Sequence, residues 1–309
     1  MKAAYLNQRA GADALIVDEL PQPTPGVGEV LVKVRATAIT PTEPKWAPTF
    51  TSRDGTPRPF PIILGHEFSG EIAAVGPDVS DFDIGDEVYG MSDWFKNGAQ
   101  AEFCVAPATF VAPKPQRLDH AHAATVPISA LTAWQALVVR GDLRHGETIL
   151  IHGAAGAVGL FATQIARECG ARVIATTSAA DRDFVRSLGA DEVIDYRAER
   201  FDEKVHDVDF VFDTVGGDTL SRSWRVLGKG GRLLSIVSTA AGAADARTRD
   251  AFLLVEADRA QLAVIANVID AGRRRTFVAQ EFPLDRVRDA YANASRGGNR
   301  GKTVLRITT

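Results

Sequence analysis

The 309-residue sequence predicts an α/β protein in two parts, a partly closed antiparallel β-barrel and a parallel sheet wound with helices. Three observations predict it. The first third is written in short strands broken by Gly and Pro turns. From Thr148 onward strands alternate with helices, the pattern of a parallel sheet with helices on both faces. At the centre of that alternation stands Thr148–Thr177, TILIHGAAGAVGLFATQIARECGARVIATT. There a strand, a glycine turn, a helix and a second strand follow within about 30 residues, as in a dinucleotide-binding βαβ unit.

In chain order, Lys2–Leu6 and Leu15–Glu19 read as short strands across a polar turn. The Pro-rich Pro21–Gly28 cannot join a central strand and is expected on the surface. Glu29–Ala38 alternates, with Val30, Val32 and Val34 on one face and Leu31, Lys33 and Arg35 on the other, so it predicts a half-exposed antiparallel strand. Thr40–Arg58 is dense in proline, threonine and charge and is expected to be irregular. Phe68–Val75, Glu87–Tyr89 and Gln100–Val105 read as further short strands.

The texture changes near residue 119. Asp119–Val126 and Ala130–Arg140 are Ala-rich and helical, interrupted at Pro127. After the βαβ unit come helix Asp181–Leu188, strands Glu192–Asp195 and Phe210–Asp213, helix Asp218–Leu227, strands Arg232–Ile236 and Phe252–Val255, and helix Arg259–Ala271. Thr239–Ala246 is expected to be a loop. Phe277–Phe282 is β-like, Leu284–Ala294 helical and Lys302–Ile307 a last strand. That strand most simply rejoins the barrel, which predicts a discontinuous first domain, 1–118 with 272–309, around a second at 119–271.

Composition narrows the class. The chain is 45% apolar and 24% charged, ordinary for a soluble globular protein. A net charge of −4 gives no reason to expect nucleic acid or an anionic membrane as partner. Cys104 and Cys169 make no disulfide framework, which fits a reducing compartment. The N-terminus MKAAYLNQRAGAD lacks a signal peptide's apolar core, and no run approaches the roughly 18 apolar residues of a membrane span. The cytoplasm is the expected location.

The glycines carry the first functional reading. Gly153 and Gly156 have no Cβ, so the backbone turns sharply and approaches a pyrophosphate. Gly159 lets the helix lie close on the strand. Ala154 stands where the six-residue fingerprint has its first glycine. The open N–H groups at the helix start, around Ala155, Ala157 and Val158, face the anion. An acidic residue about 20 residues past the glycines would hold the ribose 2′-hydroxyl of NAD. Here the second strand ends Ala175-Thr176-Thr177-Ser178, with no carboxylate at its tip. Arg182 and Ser178 are placed to meet a 2′-phosphate, which favours NADP.

No side-chain cluster offers the chemistry itself. His66-Glu67 invites a zinc reading, but neither cysteine stands at ligand spacing, so a packed, hydrogen-bonded histidine and no metal are expected. There is no Ser-His-Asp pattern or nucleophile elbow, and His152 reads as structural. The cofactor then carries the reaction. Thr40, Thr42, Lys45 and Trp46 are the candidate donors near a developing oxyanion, with Trp94 and Phe95 as apolar walls.

These pieces together resemble a family. LGHEFSGEIAAVG, GDEVYG, AATVPISALTAWQAL, GETILIHGAAGAVGLFATQIARECGARVIATTS, LGADEVIDY, DFVFDTVGG, LGKGGRLLSI and GKTVL span nearly the whole chain. In order, they are similar to zinc-independent medium-chain dehydrogenase/reductases close to NADPH quinone oxidoreductases and zeta-crystallin-like proteins. The resemblance implies a GroES-like barrel domain plus a Rossmann domain. It implies NADPH along Gly153–Gly159 and 2′-phosphate contacts at Ser178, Arg182 and Tyr196. Thr132 matches a contact to the nicotinamide half; Val215, Ile236, Val237, Phe252, Leu254 and Lys302 match other cofactor contacts. Where relatives carry GLNPxD, this chain has AITPTE, with Thr40 for the asparagine and Glu43 for the aspartate. His66-Glu67 resembles the ligand pair of zinc alcohol dehydrogenases, whose nearby cysteine is absent. The resemblance implies hydride transfer to a small electrophilic quinone, enone or related carbonyl compound, and a homodimer paired through a Rossmann edge such as Phe252–Val255. A zinc-type alcohol dehydrogenase and an NADPH-binding protein with little turnover are the alternatives.

Overall fold

A computed structural model describes residues 1–307, which form two compact units. The first holds Met1–Ile128 and the chain from Ala257 onward; the second is Ser129–Glu256.

In the first unit, β1 (Lys2–Leu6) pairs antiparallel with β2 (Ile16–Glu19). β3 (Glu29–Ala38) is the spine of the larger sheet. The two residues of β4 (Ile62–Ile63) join the other edge of β1. β5 (Glu67–Val75) and β7 (Phe103–Pro107) pair antiparallel with β3, β6 (Glu87–Met91) with β5, and β8 (Val111–Pro113) with β6. Val30, Val32 and Val34 point together into a core with Leu6, Leu64, Phe68, Ile72 and Val88. The opposite face of β3 is less exposed than the alternation suggests. Ala36 and Ala38 are buried against Ala121 and Ala124 of the helix His120–Ala124, and only Lys33 and Arg35 remain half-exposed there. Gln100 lies outside the strand assigned to it. Its amide and those of Gly98 and Ala99 bond to the 63–65 carbonyls as a loop.

In the second unit, β9 (Thr148–His152), β10 (Arg172–Thr177), β11 (Glu192–Asp195), β12 (Val208–Asp213) and β13 (Leu227–Ser235) form one parallel sheet. Its order is β11-β10-β9-β12-β13. The chain winds outward from β9 through β10 to β11, then returns to β12 on the other side. This reversal leaves a crevice at the carboxyl ends of β9 and β12. Helix Ala157–Glu168 connects β9 to β10, and Arg182–Ser187 connects β10 to β11. Pro127 begins the helix Pro127–Trp134, as suits a residue with no N–H to offer, and Gln135–Arg140 continues it as a π-helix.

Three expected elements differ. Helix Gly217–Ser223 stops early because Leu227 already opens β13. The 239–246 tract carries a short helix, Ser238–Ala241, and the next, Ala246–Asp250, is capped by the Asp245 carboxylate. Phe252–Val255 makes only one bridge, Ser235 to Phe252. Side chains occupy the backbone there. Gln135 clasps Glu256 through both its amide atoms, at 2.7 and 3.0 Å, and Arg140 donates to the Asp250 and Phe252 carbonyls.

The chain then returns to the first unit through helix Arg259–Asp270. β14 (Val278–Pro283) and β15 (Lys302–Arg306) close its sheet, β15 lying parallel to β14 and antiparallel to β3. The unit boundary falls near 128 and 257 because helix His120–Ala124 packs on β3 and β5, and Arg259–Asp270 on β8. Among the described residues no helix is long and apolar enough to cross a membrane.

Candidate active site

The second unit gathers the nucleotide candidates along the carboxyl edge of its sheet. Gly153 adopts φ +72°, open to glycine, and a Cβ there would lie 2.4 Å from Thr214 Oγ1. A Cβ on Gly159 would lie 2.2 Å from the Gly153 carbonyl oxygen, so helix and turn touch only because it is absent. Gly156 begins the helix with no side-chain cap. The first-turn amides therefore stay open to an anion. Ala154 and Ala155 are buried beneath the turn, and Ala157 and Val158 are half-buried at the helix start.

His152, just before the turn, is fully buried. Ser223 Oγ donates to the Thr219 carbonyl at 2.7 Å, so it accepts from His152 Nε2 at 3.0 Å. His152 Nδ1 then accepts from Thr176 Oγ1 at 3.0 Å. Burial, aided by the Arg222 charge, pushes this imidazole down to about 3. It is a neutral strut between β9, β10 and the helix Gly217–Ser223.

At the tips of β10 and β11 lie Ser178, Arg182 and Tyr196. The Tyr196 amide donates to the Thr177 carbonyl at 3.2 Å, fixing one strand end on the other. Ser178 Oγ donates to the buried Asp181 carboxylate at 2.8 Å. Arg182 pairs with Glu199 at 3.6 Å, and its buried Nε has no hydrogen-bond partner. Tyr196 is 55% exposed.

At the tip of β12, Asp213 organises the next turn, a role the sequence reading missed. Fully buried, it accepts from the amides of Val215 and Gly216 at 3.1 and 3.0 Å and from Ser235 Oγ at 2.8 Å. The carboxylate closing the apolar run DFVFD, two residues short of a glycine pair, is the signal that could have found it. Val215 is left exposed, while Ile236 and Val237 follow β13, Val237 lying against Gly216. Leu254 is exposed and Phe252 packs against the core of this unit. Thr132 is buried in the helix Pro127–Trp134.

The first unit holds the acceptor-loop candidates and Lys302. A 3-10 turn, Glu43–Lys45, and the short helix Ala47–Phe50 interrupt the irregular loop. Thr40 accepts from Lys302 Nζ at 3.2 Å, and Lys302 forms an ion pair with Glu67. Glu67 is fully buried and also accepts from the Ile128 amide at 3.0 Å. Burial pushes its carboxyl up, against the pull of Lys302. His66, likewise buried, meets Glu43 Oε1 through Nδ1 at 2.6 Å and the Lys96 carbonyl through Nε2 at 3.3 Å. Glu43 also accepts from the Gly65 amide at 2.8 Å. Trp94 stands 5.1 Å from the His66 ring and 5.4 Å, edge-on, from Trp46. Phe95 is covered by the Arg53 guanidinium at 4.9 Å.

Thus Thr40 joins the Glu67–Lys302 pair and Trp46 joins the Trp94–His66 cluster, while Thr42 and Lys45 stand exposed on the loop. The role of Glu43 as the partner of His66 was not read from the sequence. Its place three residues after Thr40, in the substituted AITPTE, was the signal. Among the described residues no group of three or more His, Cys, Asp or Glu side chains is placed to hold a metal ion.

The chain is similar to known proteins over most of its length. The alcohol dehydrogenase GroES-like domain family matches residues 26–116, and the zinc-binding dehydrogenase family matches 188–305. NAD(P)H oxidoreductase RTN4IP1, mitochondrial, of Mus musculus is 33% identical over 90% of this chain and 82% of its own length. The chloroplast envelope quinone oxidoreductase homolog of Arabidopsis thaliana is 30% identical over 97% of this chain and 96% of its own. The structure of the quinone oxidoreductase from Coxiella burnetii aligns with a TM-score of 0.91 at 29% identity, covering 100% of this chain and 99% of that one.

Proposed function

The chain belongs to the medium-chain dehydrogenase/reductase family and is an NAD(P)H oxidoreductase, and on that premise we propose that it moves hydride from NADPH to a quinone, enone or related carbonyl acceptor without a metal. One observation carries the choice of cofactor. β10 itself ends without a carboxylate and the nearby Asp181 is buried and held by Ser178, while Arg182 stands beside it with an unpartnered buried Nε. The residues present fit the dinucleotide: Gly153 and Gly159 leave the space that two Cβ atoms would fill.

In this reading the first-turn amides of Ala157–Glu168 hold the pyrophosphate. Arg182 and Tyr196 hold the 2′-phosphate, and Asp213 keeps the Val215 turn in shape. Ser178 reaches the phosphate by releasing the Asp181 carboxylate. Thr132, Ile236, Val237, Phe252, Leu254 and Lys302 are carried as further contacts. When bound, the nicotinamide supplies the hydride. Thr40, Thr42, Lys45 and Trp46 orient the acceptor and exclude water.

The metal-free reading rests on how the polar groups are used. His66 is engaged at both ring nitrogens and Glu67 at both oxygens, while Thr40 stands where relatives carry an asparagine. Stoichiometric zinc in the purified protein would overturn it. A cytoplasmic homodimer completes the proposal, and light scattering tests the dimer.

Arg182→Ala tests the cofactor. A charge-assisted hydrogen bond at a part-exposed site predicts about a tenfold or greater loss of NADPH affinity with NADH little changed. Equal loss for both cofactors refutes the phosphate assignment. Steady NADPH oxidation with quinones or enones separates a catalyst from a binder; tight NADPH binding with no acceptor turned over refutes the enzyme reading.

A further inference from the structure

We propose that Arg197 is a second guanidinium for the cofactor's 2′-phosphate, acting beside Tyr196 and together with Arg182. The inference rests on the NADPH reading of this same edge.

The register sets Thr177 beside Asp195, so Ser178 and Tyr196 are the next residues of two neighbouring parallel strands. Asp195 Oδ1 accepts from the Arg197 amide at 3.1 Å, which fixes the chain as it leaves β11. Arg197 Nε then donates to the Tyr196 hydroxyl oxygen at 3.2 Å, and its guanidinium lies 5.5 Å from that ring's centroid. Because the hydroxyl oxygen is already accepting, its own proton is left to point outward. Arginine and tyrosine thus present donors to the same side.

The neighbouring cations are otherwise committed. Arg200 pairs with Asp202 and Glu203, and Lys204 with Glu199. Arg182 shares that same Glu199. Arg197 forms no ion pair among the described residues, and both its terminal nitrogens are free of hydrogen bonds there. The nearby carboxylates are engaged as well, Asp195 by the Arg197 amide and Asp181 by Ser178. A phosphate monoester carries between one and two negative charges near neutrality. Arg182, partly offset by Glu199, supplies less than that. A second planar fork at the rim completes the complement and offers bidentate geometry that a lysine cannot.

Calorimetric binding of 2′,5′-ADP and 5′-AMP to the full chain tests this without turnover. The wild type should prefer 2′,5′-ADP. Arg197→Ala should weaken 2′,5′-ADP about tenfold and leave 5′-AMP within about twofold. Arg197→Lys should recover part of the loss. Equal weakening of both ligands would reduce Arg197 to a stacking or structural role and overturn the inference. So would full retention of the preference in Arg197→Ala. If that retention is accompanied by a loss in Arg182→Ala, the NADPH reading stands and only the role of Arg197 falls. A wild type with no preference refutes both.

Discussion

Replacing Lys302 by Met should unmask the cost of a buried charge, and the cost should depend on pH. Lys302 and Glu67 are 7% and 0% exposed along their side chains. Without the ammonium, the carboxylate keeps only the Ile128 amide. Removing one member of a buried pair costs about 3–5 kcal/mol. The carboxyl has one escape, which is to take a proton. Its folded-state value is already raised by burial, and losing the opposing Lys302 raises it further. Between the unfolded and folded values the native state then binds more protons than the unfolded chain. Stability must fall as pH rises through that window, by about 1.4 kcal/mol per unit. The deficit of Lys302→Met should therefore be small at acid pH and grow as pH rises above the ordinary carboxylate range. Urea unfolding over that span of pH, followed by circular dichroism, reads it directly. Adding Glu67→Gln should restore most of the loss at the upper end, since a neutral amide still accepts from Ile128. A deficit that is flat with pH, or below about 1 kcal/mol, or unrelieved by Glu67→Gln, would refute this reasoning.

Other outcomes follow from the second unit. Gly159→Ala forces a Cβ to 2.2 Å from the Gly153 carbonyl, whereas Gly156→Ala meets it at 3.2 Å. The first should lower thermal stability by roughly 1–3 kcal/mol and NADPH affinity by tenfold or more, the second by clearly less; equal effects would deny the close approach. His152, held at about 3, should make the wild type lose stability as pH falls below about 6.5, where the unfolded chain takes the proton first. His152→Gln should flatten that slope in urea midpoints, and an unchanged slope counts against it. Cys104 is buried and its thiol pushed far up, so a thiol reagent should reach it only after unfolding.

Much of the fold was legible because its elements are local. The apolar runs of β9–β13 and the valine alternation of β3 need only neighbours a few residues away. The misread pieces are those where side chains override the local pattern. Phe252–Val255 has strand composition, yet Arg140 takes the Phe252 carbonyl and Gln135 the backbone of Glu256 beside it, each from more than 100 positions away. The 2′-phosphate candidates were legible from the strand tip at Ser178 and the arginine that follows. Glu43–His66 and Glu67–Lys302 were not. Partners 23 and 235 residues apart leave no periodicity in the chain. Arg197 hid for a different reason, since an exposed arginine in a polar turn has no pattern until its neighbours are seen to be paired.

The discontinuity of the first unit sets an order on synthesis. Ser129–Glu256 is continuous, so its sheet can complete as soon as it leaves the ribosome. The larger sheet cannot. β3 keeps an open edge until β15 arrives, and the Glu67 carboxylate stays uncompensated until residue 302 emerges. A nascent chain stalled before that point carries a finished parallel sheet and an unfinished first unit. The Glu67–Lys302 pair thereby forms only after the last strand has been made.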